Sequence, residues 1–302
     1  MRCRGRGTVL IARKSRSRGC CSFVIAASAG GVVFKVSAVS FLARKPSLGG
    51  IAPAFRALGD PLVSLLLPAA CRVCHQPMET LSRVPVCETC WQSVHPYEGL
   101  ECAQCGLFLG KSALTHGTAL CGICRRGTFD FEQARSFGWY DGVLRELIQQ
   151  FKYNGFRPLA RPLANCLRDA LARMDATSFD LILPVPLHRS RERRRGFNQA
   201  ALLAARMSRL CDIPLGSKDC VRVRDTPPQT GLRGAERRRN VAGAFAVPRP
   251  ERVRGRRLLL IDDVMTTGAT ANACAGALKS AGAAGVWVLT LGRARAAWLN
   301  VL

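Results

Sequence analysis

The fold is decided by thirteen residues, Leu258-Leu-Leu-Ile-Asp-Asp-Val-Met-Thr-Thr-Gly-Ala-Thr270. Four leading apolar residues are typical of a strand that is buried on both faces of a parallel sheet. Asp262 and Asp263 follow where such a strand is expected to end, since burying an unpaired carboxylate is costly. A loop of hydroxyls and glycine then leads into an Ala-rich helix, predicted from Ala269 to Ala281. This succession of strand, acid pair, hydroxyl loop and helix predicts a site for a phosphorylated, hydroxylated ligand. Helix N-termini favour phosphate, and carboxylates suit ribose hydroxyls or a metal ion.

Two simpler interpretations explain the stretch less well. An ordinary helix cap needs one hydroxyl, and this loop carries three, on Thr266, Thr267 and Thr270. A Walker B strand also ends in acids, but it needs a Walker A partner. The nearest imitation, Gly106-Leu-Phe-Leu-Gly-Lys-Ser112, has its first glycine one position out of place and lies among cysteine pairs. The sugar-phosphate interpretation is therefore kept.

Length and charge limit the remaining possibilities. The 302 residues can form one large domain or two smaller ones, and 48% hydrophobic with 22% charged residues is ordinary for a globular protein. The net charge of +25 is unusual; residues 1–59 hold eleven Lys and Arg without an acid, which leaves +14 on residues 60–302. Nucleic acid or phosphorylated metabolites are therefore candidate partners. An Arg-rich coding bias is the alternative origin of the charge.

Residues 1–58 imitate a signal peptide, with a basic start, an apolar stretch from Cys20 to Phe34, and small residues beyond. The apolar stretch is short for a membrane span, and Lys35 interrupts it. Export would also bring thiolate metal ligands into an oxidising compartment. We expect a disordered extension or sequence upstream of the true start, a cytoplasmic protein, and no membrane insertion.

Residues 62–127 are predicted to be a double zinc ribbon, because they contain four Cys-x-x-Cys pairs. Two such pairs complete a tetrahedral shell around one Zn²⁺, and a full shell leaves no open position for catalysis, so two structural zinc ions are expected. Interleaved pairing is an alternative to successive pairing. His75, His95 and His116 are not assigned as ligands. Successive pairing gives the sets Cys71, Cys74, Cys87, Cys90 and Cys102, Cys105, Cys121, Cys124.

Residues 129–302 have the pattern of an α/β domain. Apolar residues at helical spacing predict one helix that ends at Asn154-Gly155 and a second from Leu159 to Met174. Buried strands are predicted over Leu181–Leu187, where prolines mark the end, and over Gly285–Leu291. Alternating strands and helices predict a parallel sheet with helices on both faces.

Basic residues lie beside these elements. The five arginines of Arg189–Arg195 lead into a helix that opens at Gly196-Phe-Asn-Gln199 and ends near Leu210. This order suits a pyrophosphate cradle or nucleic acid, although a charge run alone is more often a solvated face. Lys152 and Arg157 flank a break between helices and either meet a phosphate or form a solvated turn. The long polar segment 222–245 is a candidate lid with Arg237, Arg239 and Asn240.

The whole succession resembles the ComF family over about residues 65–293. The resemblance rests on the cysteine pairs, the opening motif and these segments: Phe151-Lys-Tyr153, Pro184-Val-Pro-Leu187, Arg195-Gly-Phe-Asn-Gln199, and Gln229, Leu232, Arg237, Asn240 and Ala244-Phe245. It implies a type I phosphoribosyltransferase fold behind a double zinc ribbon, in a bacterial cytoplasm. It also implies that some members handle incoming single-stranded DNA, with competence helicase-type proteins as candidate partners.

The resemblance also implies roles for individual residues toward phosphoribosyl pyrophosphate (PRPP) and its Mg²⁺. Asp262 and Asp263 would hold the ribose hydroxyls. The 229–240 segment resembles a flexible hood, from which Arg237 and Asn240 would join the two acids in catalysis. The 5-phosphate would be bound by Thr266, Thr267, Gly268, Ala269 and Thr270. The pyrophosphate would be bound by Pro184, Val185 and Pro186, with Arg194 and Arg195 beyond them.

Two functional hypotheses follow. In the first, the protein binds PRPP with Mg²⁺ and transfers phosphoribosyl through an oxocarbenium-like transition state, releasing pyrophosphate. The sequence contains no recognisable nucleobase pocket, so PRPP binding is better supported than turnover. In the second, the protein is a non-catalytic single-stranded-DNA-binding adaptor, for which aromatic content of 7% is low. Neither the acceptor nor the oligomeric state follows from the sequence.

Overall fold

The computed structural model describes residues 70–78, 82, 84–109, 119–176, 178–226 and 239–295. The predicted N-terminal extension, Arg237 and most of the predicted hood lie outside the described residues. Within them, no helix is long and apolar enough to cross a membrane.

A parallel sheet forms the centre of the α/β part, as predicted. In the described residues it has four strands in the order β1-β6-β5-β2, every neighbouring pair parallel. The last strand in sequence, β6, therefore lies in the middle of the sheet. The four strands are β1 (Gln133–Trp139), β2 (Leu181–Pro184), β5 (Arg257–Met265) and β6 (Gly285–Arg293). The hairpin strands between them in sequence are β3 (Val221–Arg222) and β4 (Phe245–Ala246), which pair antiparallel.

The helices are α1 (Glu88–Gln92), α2 (Gly142–Tyr153), α3 (Ala160–Leu171), α4 (Arg189–Arg195), α5 (Gln199–Cys211) and α6 (Ala269–Ser280). Short 3₁₀ turns occupy Cys124–Arg126, Arg157–Leu159 and Pro250–Arg252.

The sheet is covered on both faces because its strand residues alternate between two cores. Leu259 and Ile261 point into a core shared with α2, α3 and α5. Leu258 and Leu260 point into the other core, which contains α6 and the β3–β4 hairpin. All four of these β5 side chains are fully buried. The four-residue apolar run is thus buried on both faces, as predicted.

Each group of cysteines joins a different core. Cys71 and Cys90 belong to the core of α2, α3 and α5, whereas Cys102 and Cys105 belong to that of α6. Two clusters of four cysteines form among the described residues, and their members are the successive sets. Successive pairing is therefore the observed arrangement, and no histidine of the described residues joins either cluster.

Three features differ from the sequence expectations. Strand β5 does not end before the acid pair but continues to Met265, because β6 supplies hydrogen-bonding partners as far as Arg293. The arginine run, for which no helix was predicted, forms the helix α4; the His188 side chain caps it by accepting from the Ser190 N–H at 3.3 Å. Strand β1 was not predicted at all.

Candidate functional site

The candidate site lies where the carboxyl ends of β2 and β5 meet. These strands are neighbours, yet α5 follows β2 on one face of the sheet while α6 follows β5 on the other. The connections that follow the two strands therefore diverge and leave a crevice between them. Such a crevice is the usual position of ligands in open parallel sheets. The Pro184–Pro186 segment leaves β2 at this point, and the acid pair lies near the end of β5.

The two acids at the end of β5 have different surroundings. Because neighbouring strand residues point to opposite faces, Asp263 faces α2, where Lys152 Nζ lies 2.9 Å from its Oδ1. Asp263 is only 3% exposed, and its Oδ2 has no hydrogen-bond partner in the part of the chain that is described. Asp262 is partly exposed, and its Oδ1 accepts a hydrogen bond from the Asp263 N–H at 2.9 Å. Asp262 is therefore the more accessible acid.

The pKa values of Asp262 and Lys152 follow from the positions of these side chains. Burial, and then the charge of Asp263, raises the pKa of Asp262 to about 7, although Lys152 opposes the shift. Burial alone would lower the pKa of Lys152, but the charge and hydrogen bond of Asp263 outweigh it and hold that pKa above its usual value. Lys152 is thus a partly buried cation that stabilises the acid pair.

The loop after β5 turns tightly into α6. Gly268 has a φ of +81°, and a Cβ on it would lie 2.7 Å from Met265 Cε and 3.1 Å from the Phe129 ring. Only glycine fits without displacing those side chains. Thr267 Oγ1 accepts a hydrogen bond from the Ala269 N–H at 3.3 Å. A small cavity of about 20 Å³ under the loop is lined by residues that include Asp262, Thr266, Gly268, Ala269, Thr270 and Thr290.

The Pro184–Pro186 segment is held against β5. The Val185 N–H donates to the Ile261 carbonyl at 2.9 Å, and the Val185 carbonyl accepts from Asn198 Nδ2 at 3.1 Å. Asn198 also caps α5, since its Oδ1 accepts from the Ala200 N–H at 3.0 Å. Pro184, Val185 and Pro186 are all buried. The predicted pyrophosphate segment and the acid-bearing strand are therefore fixed to each other.

The predicted arginines are not equivalent. Arg194 is exposed on α4, while the Arg195 guanidinium lies 5.3 Å from the centre of the Tyr153 ring and hydrogen-bonds to Gln199. Asn240 is partly buried, and its carbonyl accepts from Arg224 Nη2 at 3.1 Å. An open cleft of about 1030 Å³ borders the segment, and its lining includes Pro186, Arg189, Asn198, Lys218, Arg222 and Arg249.

The roles of two side chains beside the candidate site were missed or left open by the sequence. The sequence left two interpretations of Lys152 open, a phosphate contact and a solvated turn. In the structure Lys152 is instead the ion-pair partner of Asp263. Tyr153 was given no role, although it is 71% exposed beside the site's arginine. The sequence feature that could have indicated them is the Phe151-Lys152-Tyr153 end of α2, where Lys152 and Tyr153 lie outside the apolar stripe of the helix.

The cysteine clusters fit tetrahedral zinc. The ligand atoms of each cluster lie within 4.8 Å of one another. The sulfur–sulfur separations are 3.8 Å for Cys71–Cys90, 3.6 Å for Cys74–Cys87 and 3.6 Å for Cys105–Cys121. Zn–S bonds of about 2.3 Å in a tetrahedron require about 3.8 Å. Four cysteines per site give structural zinc, with the first site partly exposed at Cys74 and the second fully buried.

These features define a parallel α/β protein with two four-cysteine zinc sites. Its candidate ligand site is formed by a strand that ends in two acids and by the hydroxyl loop that follows. A model of the double zinc ribbon domain matches residues 62–125. Competence protein F of Haemophilus influenzae is 37% identical, covering 69% of this chain and 90% of that protein. DNA utilization protein YhgH of Escherichia coli K12 is 33% identical, covering 76% and 99%. The chain belongs to the ComF family.

Two more distant similarities were also found, one to a sequence and one to a solved structure. Competence protein ComFC of Bacillus subtilis is 26% identical over 66% of this chain and 80% of that protein. A glutamine PRPP amidotransferase of B. subtilis with ADP and GMP is 19% identical, with a TM-score of 0.32, covering 47% of this chain and 30% of the other. The chain spans less than a third of that enzyme. The architecture expected from the sequence, a parallel α/β sheet behind a double zinc ribbon, is confirmed.

Proposed function

We propose that the protein binds PRPP with Mg²⁺ at the carboxyl ends of β2 and β5 and transfers its phosphoribosyl group, releasing pyrophosphate. The observation that carries this proposal is the partly exposed Asp262. It is the neighbour of Asp263, which pairs with Lys152, and its strand leads into a tight loop at the N-terminus of α6. An acid for ribose hydroxyls and a helix N-terminus for a phosphate are thereby fixed a few residues apart.

The roles are divided along the crevice. Asp262 accepts hydrogen bonds from ribose hydroxyls, and Asp263 keeps that strand end in place through Lys152. The hydroxyl loop, Thr266 to Thr270, holds the 5-phosphate. The Pro184–Pro186 segment faces the pyrophosphate, with Arg194 and Arg195 beside it. The chemistry that a Mg²⁺ bound together with PRPP would supply is partial neutralisation of the pyrophosphate oxygens.

The reaction is a displacement at the anomeric carbon. The bond from that carbon to pyrophosphate breaks, pyrophosphate leaves with the electron pair, and an acceptor atom forms the new bond. Holding ribose and 5-phosphate at two fixed points orients the carbon, and cationic groups stabilise the charge on the leaving group. Arg237 and Asn240 are proposed to close over the site and keep water out.

The test has two parts, both on the zinc-loaded protein. Calorimetry measures PRPP binding with Mg²⁺, and a coupled assay measures pyrophosphate release with a panel of nucleobases. D262N should weaken PRPP binding at least about tenfold, because it removes a charged acceptor of hydrogen bonds. K279M, which removes an exposed cation from the far end of α6, is the matched control and should bind as the unaltered protein does.

The two results separate binding from chemistry. A folded protein that binds no PRPP overturns the proposal. Tight PRPP binding without pyrophosphate release, whatever the nucleobase, would restrict the function to PRPP binding.

A second candidate function is single-stranded-DNA binding in DNA uptake, alone or with helicase-type competence proteins. Its supporting observation is an exposed Tyr153 ring backed by Arg195, next to arginines 189, 193 and 194, which are exposed on α4. Stacking rings beside backbone-binding cations are typical of single-strand binding.

Salt and substitution distinguish this function from the first. Single-strand affinity should fall steeply with salt, and changing arginines 189, 193 and 194 together to alanine should flatten that dependence by about two units of slope. D262N should leave DNA affinity unchanged or raise it. A salt-independent affinity would contradict DNA binding at α4.

A further inference from the structure

The last residue of β6, Arg293, lies against the second cysteine cluster. Its Nη2 is 3.9 Å from Cys105 Sγ, and the whole residue is only 2% exposed. Its Nε and Nη1 have no hydrogen-bond partner among the described residues, and none of the ion pairs found there includes it. A buried guanidinium without a carboxylate is unfavourable unless another negative group compensates it.

The second zinc site supplies such a group. Four thiolates around Zn²⁺ carry a net charge of about −2. All four cysteines of this site are buried, so water screens that charge poorly. The first site differs, since Cys74 is exposed and Cys87 is partly exposed. A protein counter-charge is therefore needed at the second site and much less at the first.

Another buried arginine nearby does not serve this purpose. Arg135 reaches the backbone carbonyls of Cys102 and Ala103, but its guanidinium is 3.2 Å from Glu101 Oε1, so its charge is already compensated. Arg293, in contrast, contacts a cysteine sulfur and has no carboxylate partner among the described residues.

Arg293 is also joined to the strand that carries the candidate site. It lies opposite Met265, the last residue of β5, and the Ala294 N–H donates to the Met265 carbonyl at 3.0 Å. Met265 in turn closely approaches Gly268, the glycine that begins α6. One residue thus contacts the second cysteine cluster and aligns the strand end from which the hydroxyl loop departs.

We infer that Arg293 is the counter-charge of the second zinc site, and that zinc bound there holds the end of β5 and the hydroxyl loop in place. This inference goes beyond PRPP binding and does not depend on it. Arg293 is a positioning residue, because it reaches the loop through Met265. Groups that hydrogen-bond to metal ligands typically change metal affinity about 10- to 100-fold when removed.

The experiment uses the full zinc-loaded chain and a colorimetric chelator that reports zinc release. In R293M the second zinc should be released at chelator concentrations about 10- to 100-fold lower, while release of the first zinc is unchanged. R293K keeps the charge and should recover much of the difference. R295M is the matched control, since Arg295 is exposed and pairs with Asp141 at 2.6 Å; it should release both zinc ions normally.

Hydrogen exchange gives a second readout that needs no substrate. Removing the second zinc from the unaltered protein should speed exchange in residues 264–270 at least about tenfold, and R293M should do the same with less chelator. Unchanged release of the second zinc in R293M, or equal loss in R293M and R293K, would overturn the counter-charge role. Unchanged exchange in residues 264–270 after zinc loss would overturn the link to the loop.

Discussion

Replacing Lys152 by methionine should destabilise the protein far more than a typical loss of a surface charge. Methionine keeps the length and the apolar stem of the side chain but removes the cation 2.9 Å from Asp263 Oδ1. Asp263 then remains buried with neither oxygen compensated by a charge. Removing one partner of a buried pair costs about 3 to 5 kcal/mol, and the 16% exposure of the Lys152 side chain favours the lower value.

About 3 kcal/mol corresponds to a melting temperature lowered by roughly 6 to 12 °C for a domain of this size. The assay is thermal and urea unfolding of zinc-loaded protein. K279M is the control, since its partner Glu132 forms an exposed pair that should contribute less than about 1 kcal/mol.

The pH dependence gives a further check on the same variant. The pKa of Lys152 is raised in the folded state, so the stability from its charge is complete below its ordinary pKa and is lost only as pH rises through the raised value. Because Asp262 binds a proton near pH 7 and then needs less compensation from Lys152, the deficit of K152M should be smaller below that pH and persist from about pH 7.5 to pH 9. A deficit no larger than that of K279M, or one that fades within this range, would refute the buried ion pair.

Three further outcomes are expected. PRPP affinity should rise about tenfold between pH 6 and pH 8 as Asp262 loses its proton near pH 7, and calorimetry should show no such rise in D262N. Urea unfolding should show that G268A lowers the free energy of unfolding by at least about 1 kcal/mol more than G127A does. Both glycines have a positive φ, but of the two only Gly268 has side chains within contact of an added Cβ. Chelator titration should release the zinc held by the exposed Cys74 before the buried zinc, in two resolved steps; a single step would contradict this order.

The parts of the fold that the sequence predicts are those whose signals are local. For three elements, the residues that indicate the structure are adjacent in the sequence. They are the apolar run of β5, the prolines that end β2 and the alanines of α6. The spacing of the cysteine pairs is also local, which is why both four-cysteine sets could be proposed, although their successive pairing was settled only in three dimensions.

Elements that depend on distant partners could not be predicted. Strand β1 contains Gln133 and Arg135, polar residues that argue against a buried strand until their partners, Asp175 and Glu101, are known. The Lys152–Asp263 pair joins residues 111 positions apart. Without it, a buried Asp263 looks unfavourable, and the strand was expected to end before the acids.

The order of the strands has a consequence for synthesis of the chain. Of the described strands, β6 is the last to leave the ribosome, yet it separates β1 from β5 and hydrogen-bonds to both. Until it emerges, β1 has no neighbour in the sheet, and β5 has only β2. The cysteine ribbons can bind metal early, but the sheet that they later pack against cannot be completed before β6 has been synthesised. A nascent chain stalled before residue 285 lacks Arg293 as well as β6, so it should hold the first zinc more firmly than the second while its α/β half is still open to proteases.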